Sequence, residues 1–131
     1  MKNFSKLIAV FALFLVLLMA ACHKHNHADE VTINIQSPTE GAVLATADSL
    51  HMHIEFTSSD MIHNVLVKVT QLNTNETPFI FDEHVHAEES YTFHHIHAPL
   101  ATGSYQLQAT VTGHSSQDPV FTETVNFSVA P

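Results

Sequence analysis

The chain has 131 residues but only one cysteine, three glycines, no tryptophan and no arginine. One cysteine cannot close an internal disulfide, and it excludes cysteine-based zinc knuckles and iron–sulfur clusters. Three glycines leave no room for a Gly-rich phosphate loop. Four Lys+Arg stand against 13 Asp+Glu, a net charge of −9 with neutral histidine. Such a chain has no basic patch to neutralise phosphates, which excludes nucleic-acid binding. Neither His-Glu-x-x-His nor Gly-x-Ser-x-Gly occurs, so the motif-bearing zinc proteases and serine hydrolases are excluded. What the chain does have is histidine: 12 of them.

The N-terminus reads as a targeting segment. Met1–Lys6 is short and basic, Leu7–Met19 is uninterruptedly apolar, and Ala20-Ala21 supplies small residues before Cys22. This is the layout of a secretory signal peptide; the apolar run falls short of the roughly 20 residues of a membrane span. Leu18-Met19-Ala20-Ala21-Cys22 resembles the lipobox of bacterial lipoproteins, with Met19 where leucine is usual. The resemblance implies a signal peptide over residues 1–21, lipidation of Cys22, and a mature protein held in the bacterial cell envelope, most naturally at the outer membrane. Cleavage leaves only Lys24 and Lys68 against every carboxylate of the chain. Residues 22–30, with His23, His25 and His27, form a polar tether without apolar period.

From residue 31 onward period-2 alternation dominates and helical periodicity is absent. Val31, Ile33 and Ile35 open the pattern, and Ser37-Pro38-Thr39-Glu40-Gly41 reads as a turn. Six further runs follow: Leu50–Phe56, Val65–Val69, Phe79–Val85, Tyr91–Phe93, Tyr105–Val111 and Phe121–Val129. Seven short strands rich in Val, Thr and Phe, with turn residues between them, predict an all-β antiparallel sandwich over residues 31–131. The segment Ile33–Ala42 resembles the opening strand and turn of immunoglobulin-like modules. Gly103-Ser104-Tyr105-Gln106-Leu107 resembles their sixth strand, where a tyrosine makes the corner hydrogen bond. The outline is similar to the small immunoglobulin-like or fibronectin-type-III-like domains of Bacteroidota lipoproteins, some of which carry His-x-His pairs. It implies a fold rather than an activity.

The histidines come as spaced pairs: His23-x-His25-x-His27, His51-x-His53, His84-x-His86, and His95-x-His97 preceded by His94. Residues two apart on a strand share a face at roughly 7 Å, and a neighbouring strand lies about 4.8 Å away, so imidazoles from two strands can converge on one ion. His51 and His53 fall on the polar register of their strand. Residues 79–86 and 90–97 are joined by a short link and are expected to pair as a hairpin. The immunoglobulin-like resemblance implies that the second strand neighbours the fifth, and with the hairpin this would gather His51, His53, His84, His86 and His94 on one outer sheet face. His95 and His97 fall on the core register, with the strand expected to end there and His97 at the rim. His63 and His114 stand alone and read as ordinary surface residues.

The chemistry expected of this set is transition-metal binding. Imidazole suits Zn and Cu, between which the sequence does not choose, and Asp82, Glu55 or Glu88 can complete or orient the ligand shell. His23, His25 and His27 offer a second, flexible site. The predicted protein is a non-enzymatic, lipid-anchored module that captures a metal or passes it to another envelope protein. The alternative is an envelope adhesion or accessory module that binds protein or glycan without metal. Its expected sign is an exposed aromatic platform, whereas Phe56, Phe79, Phe81, Tyr91, Phe93, Tyr105, Phe121 and Phe127 mostly occupy inward registers.

Overall fold

The structure is a computed structural model that describes residues 31–59, 61–112 and 120–131. Eight strands are described: β1 (Val31–Ser37), β2 (Val43–Ala45), β3 (Leu50–Ser58), β4 (Ile62–Gln71), β5 (Phe79–Ala87), β6 (Ser90–His97), β7 (Gly103–Thr112) and β8 (Val120–Ala130). They form two sheets, ordered β1-β3-β6 and β2-β8-β7-β4-β5. The all-β sandwich is thus observed. The strand absent from the sequence reading is β2, three residues that pair in parallel with β8 after the expected turn.

That turn carries the chain from one sheet to the other. Gly41 sits at φ 76°, a backbone state that glycine enters without steric cost. Its N–H donates to the Asn126 carbonyl at 2.8 Å, and the Glu40 carboxylate accepts from the Asn126 backbone N–H at 2.7 Å. The opening segment is therefore fastened to β8 before β3 begins.

The core is where the two inner faces meet. Leu50, Met52, Ile54 and Phe56 point inward from β3, Val65, Val67 and Val69 from β4, and Tyr105, Leu107, Ala109 and Val111 from β7. The alternation read from the sequence supplies these residues because a strand offers every second side chain to one face. Tyr105 is stacked on Phe127 and donates from its hydroxyl to the Ala101 carbonyl at 2.7 Å, the expected tyrosine corner.

One expectation fails. Strands β5 and β6 do not form a hairpin: β5 pairs with β4 at the edge of the five-stranded sheet, and β6 pairs with β3 at the edge of the three-stranded sheet. The link between them changes sheets, with Glu89 at φ 62° and the Ser58 N–H donating to the Glu89 carbonyl at 2.9 Å. The inward pattern of Phe81, Val85, Tyr91 and Phe93 is satisfied equally by a hairpin or by two strands facing each other across the core. Alternation sorts inside from outside, but it does not say to which sheet a strand belongs.

Candidate metal centre

Because β5 and β6 lie in different sheets, the expected five-histidine face is divided. His51, His53 and His94 stay together on the outer face of the three-stranded sheet. His53 lies directly opposite His94 with ring centroids 5.9 Å apart, and His51 lies opposite Ile96. His84 and His86 belong to the other sheet. His95 and His97 are the inward residues at the end of β6, as their register required, and both are half-buried. Their partner is Phe79 of β5, at centroid distances of 4.7 Å from His95 and 5.6 Å from His97. These two rings pack at the open rim of the sandwich, and His97 ends the strand rather than entering the loop. Cys22, His23, His25, His27 and His114 lie outside the described residues.

The imidazoles that converge are His63, His84 and His86. Each offers one nitrogen, and the three nitrogens all lie within 4.8 Å of one another. Ring centroids are 5.7 Å apart for His63–His84, 5.3 Å for His63–His86 and 4.0 Å for His84–His86. Bonds of 2.0–2.1 Å in a tetrahedral shell need nitrogens about 3.3 Å apart, so modest side-chain rotation closes the three around an ion. Among the described residues this is the group of three or more His, Cys, Asp or Glu arranged to hold a metal. Asp82, Glu55 and Glu88 are not in it.

Two local irregularities build the cluster. The first is on β4, where buried Ile62 and Val65 are three residues apart, so His63 and Asn64 both stand outside the core and are half-buried. The second is on β5. Ile62 opposes Ala87 and Asn64 opposes His84, which leaves Val85 and His86 together opposite His63. This is a β-bulge, and His86 adopts φ 47° within it. Histidine is one of the few non-glycine residues enriched in this left-handed region. In a regular strand His84 and His86 would stand roughly 7 Å apart; here their rings meet edge to face.

His84 is also oriented. Its Nδ1 lies 2.7 Å from Asn64 Oδ1 on the residue directly opposite. A carbonyl oxygen can only accept, so this contact is a hydrogen bond in the tautomer with the proton on Nδ1, which leaves the lone pair on Nε2. Metal-ligating histidines commonly make such a contact with their second nitrogen.

Sequence reasoning missed His63 because it stands outside the clean alternation that starts at Val65. A signal was present: in Ile62-His63-Asn64-Val65 two inward apolar residues are separated by two polar ones. On a strand that spacing requires an irregularity, and irregularities re-aim side chains.

No protein-family model and no curated protein sequence matches the chain. Solved structures do resemble it. The CARDB domain of a Pyrococcus furiosus protein, solved in complex with di-metal ions, is 15% identical with a TM-score of 0.52, over 78% of this chain and 89% of that one. A fibronectin(III)-like module of Clostridium thermocellum CbhA is 16% identical with a TM-score of 0.42, over 75% of this chain and 94% of that one. An engineered protein is 18% identical with a TM-score of 0.48 over 78% of this chain, which spans 20% of that protein's length. At these identities the likeness is one of fold. The two-sheet topology is that of an immunoglobulin-like β-sandwich fold, and it carries a candidate three-histidine metal site.

Proposed function

We propose that the protein is a metal-binding module of the bacterial cell envelope, anchored by lipid at Cys22, that takes up Zn or Cu through His63, His84 and His86. The observation that carries this reading is the convergence of three imidazole nitrogens within 4.8 Å on strands whose irregularities bring them together. Three neutral nitrogen donors without a thiolate suit Zn and Cu(II), and three protein ligands leave further coordination positions for water or a donor from another molecule. His84 and His86 are exposed and lie on an edge strand, so an exchanging partner can reach the ion. That favours capture and transfer over a permanently closed structural site. A domain of similar fold has been solved with di-metal ions, so the scaffold itself is compatible with such a role. The role proposed is binding, with His84 and His86 exposed on the edge strand.

His53 and His94 form a two-imidazole pair on the opposite face, and His51 accompanies them. Two donors hold an ion more weakly than three, so this face is a secondary site at most. The test is titration of the purified, chelator-stripped protein with Zn²⁺ and Cu²⁺ by calorimetry. One equivalent bound tightly and lost on removal of His63 supports the reading, and the absence of binding by either ion rejects it.

A further inference from the structure

We infer that Asn64 is a positioning residue of this site: it fixes the tautomer of His84 so that Nε2 is the metal donor. The inference rests on the metal-binding reading and deepens it. Asn64 and His84 are directly opposed on β4 and β5, next to the bulge, and Asn64 Oδ1 lies 2.7 Å from His84 Nδ1. A neutral imidazole has one protonated and one lone-pair nitrogen, and the hydrogen bond made by one decides the role of the other. With the proton on Nδ1, the Nε2 lone pair is set before any ion arrives, and the ring plane is held by the same contact. The bulge makes this orientation necessary. His86 is displaced toward His84, with ring centroids 4.0 Å apart, so the rotation of the His84 ring decides which of its nitrogens meets the ion. Asn64 is half-buried, and its outward position follows the regular alternation of Val65, Val67 and Val69, while the break just before it places His63 outside the core. Adjacent residues of β4 thus supply a ligand and the group that aims a second ligand.

The experiment compares wild-type protein with Asn64→Val, which keeps a good strand former but removes the acceptor, and with Asn64→Asp, which keeps the acceptor. The first measurement is the ¹⁵N signature of the His84 ring in the metal-free protein, at a pH where the ring is neutral. The second is Zn²⁺ affinity. The expected result is an Nδ1–H ring in wild type and Asn64→Asp, a shift toward Nε2–H in Asn64→Val, and a loss of about 10- to 100-fold in zinc affinity in Asn64→Val alone. Unfolding curves establish that all three proteins are folded. A wild-type ring protonated on Nε2, or the same tautomer and affinity in Asn64→Val as in wild type, overturns the inference. If wild type binds no zinc, the metal reading falls, and the ring assignment is then decided by the metal-free spectra.

Discussion

His84 and His86 are two residues apart on one strand, yet their ring centroids are 4.0 Å apart and their planes meet at 84°. The contact exists because Val85 and His86 share a bulge opposite His63, with His86 at φ 47°. A left-handed backbone can be held by asparagine as well as by histidine, but a β-branched residue resists it. His86→Asn should therefore keep stability to within about 0.5 kcal/mol while weakening metal binding, because it retains the bulge and loses the imidazole. His86→Val should cost about 1–3 kcal/mol in addition. Urea unfolding and zinc titration of the two variants separate the backbone effect from the ligand effect.

The division of the histidines between two sheets gives a second prediction. A variant carrying His51→Ala, His53→Ala and His94→Ala should retain the tight site, with zinc affinity within about threefold of wild type, since distant sites act nearly independently. Loss of the tight site in this variant would place the metal on the three-stranded sheet instead.

The fold was legible where one strand answers one question. Alternation in Leu50–Phe56, Val65–Val69 and Tyr105–Val111 marked the core, and each of these runs is buried as its period required. The tyrosine corner followed from Tyr105 itself. Sheet membership was not legible, because Phe81 and Phe93, whose ring centroids lie 4.9 Å apart across the core, would equally face inward as neighbours in a hairpin. His63 lay hidden for a related reason. Period-2 reading discards residues that break the period, and the break at Ile62-His63-Asn64-Val65 is what brings His63 to the site.

Tyr105 predicts a response to alkaline pH. Burial, with a smaller contribution from the Glu76 charge, raises its phenol above the ordinary value of 10.0. The fold therefore favours the neutral phenol. Stability from this group is fully present below pH 10 and is lost as pH rises through the folded-state value. Tyr105→Phe should cost about 0.5–1.5 kcal/mol at neutral pH, through loss of the hydrogen bond to Ala101, and should flatten the alkaline decline. Denaturant midpoints of the two proteins between pH 7 and 11 measure both effects.

The proposed anchor is tested by the sulfur of Cys22. Cys22→Ala in the expressed precursor should abolish incorporation of labelled fatty acid and release the protein from the membrane fraction. Unchanged labelling would remove the lipoprotein reading without touching the metal site.

The central claim is that one ion is held between β4 and β5 by His63, His84 and His86. The most direct measurement is calorimetric zinc titration of wild type and His63→Ala, side by side and both verified as folded. The account predicts one tight equivalent for wild type and a loss of more than about 100-fold in His63→Ala, beyond the cost of losing an outer partner. Equal zinc affinity in the two proteins would contradict it.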